Sequence, residues 1–230
     1  MTVKLWDLDS SNLSIASQSF SLHSDKVSSC QWHPISSTIL ASGGYDQKIV
    51  IFDIRSPKSH IIIPNLNSDI ESLKWDPLSN GNELLVALEN GIVQCFDVRH
   101  LEFLSSSPSK GTTLVQSLYT LQAHDKAVTT MDISPLVPGC LITGSTDKTV
   151  KVWDTQGNKP TCVVSRDFIV GKVFSVNWNP DTPLVASMAG SKGKVVVWNG
   201  MENEGMRSTF RGRLKGKVIE PELDLFIFQE

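Results

Sequence analysis

The chain repeats itself, and the period of the repeat decides what it can fold into. An aromatic residue followed by Asp or Asn closes five similar apolar runs: Trp6-Asp7, Phe52-Asp53, Phe96-Asp97, Trp153-Asp154 and Trp198-Asn199. Successive pairs lie 46, 44, 57 and 45 residues apart, a period at which each unit is one small supersecondary element stacked on its neighbours. A second marker runs in phase, a proline just after an apolar strand, at His33-Pro34, Asp76-Pro77, Ser134-Pro135 and Asn179-Pro180. Runs such as Lys48-Ile49-Val50-Ile51-Phe52 and Thr149-Val150-Lys151-Val152-Trp153 alternate with a period of two, the pattern of strands with one buried face. Turns are predicted at Gly43-Gly44, Asn90-Gly91, Gly144-Ser145 and Gly190-Ser191. A single four-stranded sheet cannot bury both faces, so such units stack radially.

Two strings carry a family likeness: Leu-Ala-Ser-Gly-Gly-Tyr-Asp (40–46) before Phe52-Asp53, and Ile-Thr-Gly-Ser-Thr-Asp (142–147) before Trp153-Asp154. They resemble the WD40 family. The resemblance implies an all-β, WD40-type β-propeller, incomplete, with about four fuller blades plus a partial N-terminal blade and a C-terminal tail. The expected divisions are a partial blade over 1–20, blades over 21–65, 66–121, 122–165 and 166–200, and a tail over 201–230. The long third interval is expected to hold a serine-rich surface loop at 101–114, ahead of an outer strand. Within it, Ser107-Pro108 fits either a proline-directed kinase site or plain loop sequence. The chain opens at what should be the third strand of a blade and falls short of the usual seven blades, so a fragment, an isoform or an open arc with unpaired sheet edges is expected.

Charge narrows the choice of partner. Lys and Arg number 21 against 24 Asp and Glu, a net charge of -3, so no global positive field holds nucleic acid and any RNA contact must be local. Cys30, Cys95, Cys140 and Cys162 are widely separated, lack a C-x-x-C pair and sit in apolar runs, which predicts reduced, packed thiols without a metal site. The N-terminus lacks a basic segment followed by an apolar core, and no apolar run approaches the roughly 20 residues of a membrane span, so a cytoplasmic or nuclear location is expected. Asn12-Leu13-Ser14 is then a chance match to a glycosylation triplet. No cofactor motif is present: phosphate-cradling glycine loops, metal-spaced histidines and paired carboxylates are absent, and Lys192-Gly193-Lys194 is too short to count.

His124, Thr143, Asp147 and Trp153 occupy the positions of the WD40 hydrogen-bond tetrad, and His23, Ser42, Asp46 and Phe52 repeat the set with phenylalanine for tryptophan. A histidine, a hydroxyl and an aspartate are also the parts of a nucleophilic site. An active site has no reason to recur with the structural period, so a buried, satisfied network is the expectation. The other two full blades break the pattern, with Asn90 in one and Lys192-Gly193 in the other where the aspartate would stand, and should be held mainly by packing.

Asp53-Ile54-Arg55 and Asp97-Val98-Arg99 place an arginine two residues after a blade-closing aspartate. The pattern resembles the box that docks WD40 receptors to a cullin-ring ubiquitin ligase, and a local salt bridge explains it equally. Beyond residue 200, Arg207, Arg211, Arg213, Lys215 and Lys217 put five cations within eleven residues, ahead of an acidic-apolar end. That stretch is the local candidate for RNA phosphate, the alternative being a solvated tail. Phe226-Ile227-Phe228 is a candidate for strand addition to an open blade edge.

Further strings, His-Ser-Asp-Lys-Val (23–27), Asp-Ile-Arg-Ser-Pro (53–57), Ala-His-Asp-Lys-Ala-Val (123–128) and Thr-Asp-Lys-Thr-Val-Lys-Val-Trp-Asp (146–154), resemble the C-terminal part of the periodic tryptophan family of WD40 proteins. This implies a non-catalytic nuclear and nucleolar scaffold that assists large-subunit pre-rRNA processing. Proteins of pre-ribosomal particles would be its partners, with rRNA touched through the tail.

Overall fold

The computed structural model describes residues 1–9, 15–58, 60–99 and 116–214. The Asn12-Leu13-Ser14 triplet, the inserted loop with Ser107-Pro108, the cations Lys215 and Lys217, and Phe226-Ile227-Phe228 lie outside them.

The described residues form an all-β arc of an incomplete propeller. A two-stranded sheet comes first, β1 (Val3–Leu5) paired antiparallel with β2 (Gln18–Phe20). Sheet 1 follows as β3 (Val27–Trp32), β4 (Ile39–Gly44), β5 (Ile49–Asp53) and β6 (His60–Ile63) in consecutive order. Sheet 2 repeats that order with β7 (Ile70–Trp75), β8 (Glu83–Leu88), β9 (Ile92–Asp97) and β10 (Ser117–Gln122). Sheet 3 does so with β11 (Val128–Ile133), β12 (Cys140–Ser145), β13 (Val150–Asp154) and β14 (Thr161–Arg166). Sheet 4 has three strands, β15 (Val173–Trp178), β16 (Val185–Gly190) and β17 (Val195–Asn199). The first strands β3, β7, β11 and β15 lie side by side and form the inner wall of the arc.

One apolar layer fills each junction between sheets. Ile49, Ile51, Leu73 and Leu84 join sheets 1 and 2. Leu85, Cys95, Met131 and Leu141 join sheets 2 and 3. Val152, Val164, Val176 and Met188 join sheets 3 and 4. Burying apolar area is worth roughly 25 cal/mol per Å², and here it accrues only between neighbours, so no sheet has a core of its own.

Gly43, Gly44, Gly144, Ser145 and Gly190, predicted as turn residues, belong to strands β4, β12 and β16. Close packing of sheets explains them: a Cβ on Gly144 would stand 2.5 Å from Val173 Cγ1, and one on Gly43 2.9 Å from Ile70 Cγ2. Cys30 and Cys162 are exposed, against the expectation of packed thiols. Cys30 sits on the face of β3 that only the small β1–β2 sheet adjoins, and Cys162 is on the outer strand β14. The expected solvated tail is folded as far as Leu214. Asn203 caps α1 (Glu204–Phe210) by accepting the Met206 N–H at 3.1 Å, and Met206 and Phe210, four residues apart, are fully buried in the layer between sheets 3 and 4.

Candidate functional site

The two histidine sets are each assembled across one sheet. In sheet 3, His124 Nδ1 lies 2.9 Å from Asp147 Oδ2, and its Nε2 lies 2.8 Å from Thr143 Oγ1. Trp153 Nε1 donates to the same Thr143 oxygen at 2.9 Å. Burial pushes the His124 pKa down, which favours the neutral ring. For Asp147, burial pulls upward, but hydrogen bonds from the Thr149 side chain and backbone and from His124 hold it below the ordinary carboxylate value. The consistent assignment is a neutral imidazole that donates through Nδ1–H to an ionised Asp147 and accepts the Thr143 O–H at Nε2. In sheet 1, His23 bridges Asp46 at 2.9 Å and Ser42 at 2.8 Å, while Phe52 packs on Phe20 with ring centroids 4.9 Å apart.

Thr143 and Ser42 are both 0 % exposed. A hydroxyl so enclosed has no room for an acyl or phosphoryl group beside it, and each points its proton at a histidine Nε2 within the sheet. In sheets 2 and 4, Val86 and Met188 stand where the hydroxyls would be, both buried. Asn90, in the aspartate's place in sheet 2, donates its N–H to Ser68 Oγ at 3.1 Å and accepts the Ile92 N–H on Oδ1 at 3.2 Å, with no histidine bonded to it among the described residues. Among the described residues no group of three or more His, Cys, Asp or Glu side chains is placed to hold a metal ion, and no helix is long and apolar enough to cross a membrane.

At the rim, Arg55 folds back on Asp53 (Nη2 to Oδ2, 2.6 Å) and Arg99 on Asp97 (2.5 Å). Hydrogen bonds from the Arg55 side chain and backbone hold the Asp53 carboxyl down to about 2. Both guanidinium groups remain largely open to solvent. In sheet 3 the residue two after Asp154 is Gln156, which has no charge to offer. Its place is taken from a distance: Arg213 reaches Asp154 with Nη1 at 2.7 Å and Nη2 at 2.5 Å, and Nη1 also donates to the Pro138 carbonyl at 3.2 Å. Arg213 is therefore committed within the chain. Arg207 and Arg211 are exposed.

Sequence reasoning missed this clamp, and it missed the ties between sheets. Ser28 Oγ donates to Ile70 O and Thr129 Oγ1 to Val173 O, both at 2.5 Å, from bulges at the start of β3 and β11. The matching triplets Val27-Ser28-Ser29 and Val128-Thr129-Thr130 were the available signal. Asp132 of β11 reaches two ways, to Lys74 Nζ of sheet 2 at 3.1 Å and to the Trp178 N–H of sheet 4 at 2.7 Å. These groups line a recess of about 370 Å³ at one end of the inner wall, with Trp32, Trp75 and the in-phase prolines around it.

A sequence model of the family described as WD domain, G-beta repeat matches residues 15–53, 115–154 and 164–199, together half the chain. The chain is 33 % identical over 228 residues to periodic tryptophan protein 1 of Saccharomyces cerevisiae, a match covering 93 % of this chain and 37 % of that protein. It is 23 % identical over 222 residues to the periodic tryptophan protein 1 homolog of Drosophila melanogaster, covering 82 % of this chain and 48 % of the relative. A histone acetyltransferase type B subunit 2 from Debaryomyces hansenii is 32 % identical over 161 residues, covering 66 % of this chain and 36 % of its own. The chain thus spans between about a third and a half of the length of these relatives.

Proposed function

Because the chain belongs to the WD40-repeat family, we propose that it is a non-catalytic scaffold for macromolecular assembly, acting in the nucleus and nucleolus on particles of the large ribosomal subunit during pre-rRNA processing. The observation that carries the scaffold reading is the enclosure of Thr143 and Ser42 at 0 % exposure. Among the described residues the two histidine–hydroxyl–aspartate sets are spent on holding sheets together, and what faces solvent is a set of rims and loops. The two tetrads, on this reading, fix the positions of those loops. The particle assignment rests on likeness to the periodic tryptophan family, whose named members match most of this chain.

The second reading, a ubiquitin-ligase receptor, draws on one observation: Arg55 and Arg99 are 72 % and 58 % exposed at equivalent places on adjacent sheets. Capture of the tagged full chain, with mass spectrometry of proteins and sequencing of RNA, separates the two. Large-subunit precursor proteins and pre-rRNA in the eluate are expected, and reversal of both arginines to glutamate should leave them there. A cullin adaptor recovered without precursor components, and lost on that reversal, would favour the ligase reading and end the first.

A further inference from the structure

Each sheet has two ends. At one lie the loops from first to second strand and from third to fourth, and there Asp154, Pro138 and the clamped Arg213 are found. At the other lie the turn from second to third strand and the crossover to the next sheet. Six exposed cations of sheets 3 and 4 lie at this second end. Lys126 and Lys172 stand just before β11 and β15, Lys148 and Lys192 in the turns after β12 and β16, and all four are exposed. Backbone bonds tie each pair of loops together: the Thr146 N–H donates to Ala127 O at 3.2 Å, and the Ser191 N–H to Lys172 O at 2.8 Å. Arg166 and Lys194, also exposed, extend the charge on sheet 4. Among the described residues none of these six groups is in an ion pair with a carboxylate. The same end of sheet 2 is opposite in sign, carrying Asp69, Glu71 and Glu89, whose mutual repulsion adds to burial in raising the Glu71 pKa. Asp125, Asp147 and Asp167 stand on the same loops but are outnumbered by the six cations, whereas at the matching end of sheet 1 Lys26 and Lys48 are offset by Asp25 and Asp46. In a chain of net charge -3, the positive excess is therefore local to two adjacent sheets.

We propose that this loop face of sheets 3 and 4 binds the phosphate backbone of RNA, with Lys126 and Lys148 on one rail and Lys172 and Lys192 on the other. Packed sheets stand roughly 10 Å apart, so the lysines form two rows of point charges that no single carboxylate or small anion spans. A double-stranded helix presents two charged strands flanking a groove of that order, with phosphates repeating along each. An acidic peptide offers one line of charge. Lysine suits the task because its ammonium is a compact point charge on a flexible stem, able to follow a backbone without reading bases. The choice of RNA within the class of polyanions rests on the scaffold role proposed above, and the surface differs from the C-terminal arginines, which lie at the other end of the sheets.

The test uses the full chain and a fluorescent RNA hairpin with a stem of about 16 base pairs, read by anisotropy at two salt concentrations. Four phosphate contacts predict that affinity falls about 10²-fold between 50 and 200 mM salt. Lys126→Gln, Lys148→Gln, Lys172→Gln and Lys192→Gln together should weaken binding and reduce the slope of log K against log salt by about 3 to 4. The corresponding four Lys→Arg changes should retain both. Arg207→Gln with Arg211→Gln, and separately Ile169→Ser, should change neither; Ile169 is an apolar side chain 63 % exposed among these loops and is the anchor a protein partner would use. An unchanged salt slope in the quadruple glutamine variant overturns the proposal. So does loss of the hairpin through Arg207 and Arg211 or through Ile169, or preference for polyglutamate over the hairpin. If the lysines govern hairpin binding but the chain never cofractionates with ribosomal precursors, the scaffold role falls and the RNA surface stands.

Discussion

At the scale of single residues, Thr143 does the most with one atom. Its oxygen accepts the Trp153 N–H and its proton satisfies His124 Nε2, inside a site that water does not reach. Thr143→Val keeps the shape and strands both partners, so urea denaturation should show a loss of roughly 2 to 4 kcal/mol, each buried unsatisfied group costing about 1–3 kcal/mol. Ser42→Ala strands only His23, because Phe52 has nothing to donate, and should cost about 1–2 kcal/mol. The His124 pKa also sets an acid limit. A histidine whose folded pKa lies below its unfolded value of 6.5 leaves the unfolded chain binding the extra proton, so stability falls as pH drops below about 6.5. Asp46, Asp147 and Asp154, all held below 3.8, add a second loss as pH falls through that value toward their folded pKa values. Melting temperatures between pH 8 and pH 5 should decline in the wild type, and His124→Gln should flatten that decline while lowering the whole curve.

At the scale of elements, the contrast is between arginines two residues from their aspartates and the one that is 59 residues away. Arg55 is mostly in solvent, where an ion pair contributes little, and Arg55→Ala should leave the melting temperature within error of wild type. Arg213 is 20 % exposed and bidentate, so Arg213→Met should cost about 1–2 kcal/mol. Phe210→Ala, at a fully buried position, should cost about 3–5 kcal/mol by opening a cavity between sheets 3 and 4. Strands were legible in the sequence because short apolar runs such as Ile49–Asp53 and Val150–Asp154 are a local signal. The alternation expected of one buried face fails in β5, where Ile49, Val50, Ile51 and Phe52 are all buried because the sheet lies between two neighbours. The fate of Arg207, Arg211 and Arg213 was not legible. A run of cations looks the same whether solvated or clamped, and only the empty place beside Asp154, left by Gln156, distinguishes them. The spacing of Met206 and Phe210 behind Asn203 did carry a helix signal, masked by the surrounding charge. For the candidate surfaces the limit is similar: Lys126 and Lys192 are 66 positions apart in the chain, and nothing short of the stacking of sheets brings them onto one face.

At the scale of the whole molecule, stability is shared between neighbours, and the ties across junctions decide how cooperatively the arc behaves. Asp132 links sheets 2, 3 and 4 through Lys74 and the Trp178 N–H, and Gly144 permits the close approach of Val173. Asp132→Ala and Gly144→Ala should therefore each reduce hydrogen-exchange protection in β15–β17 more than in β3–β6, with equal losses in both regions speaking against a junction-by-junction assembly. The Arg213 clamp has a further consequence, in time. During synthesis at about 5–20 residues per second, the first and second sheets receive their arginine almost as soon as the aspartate is made. Sheet 3 must wait about 3–12 s for the 59 residues that separate Asp154 from Arg213. For that interval a nascent chain holds its third sheet without its partner charge and without the helix that seals it, and the arrival of Arg213 acts as a latch on a sheet made well before it.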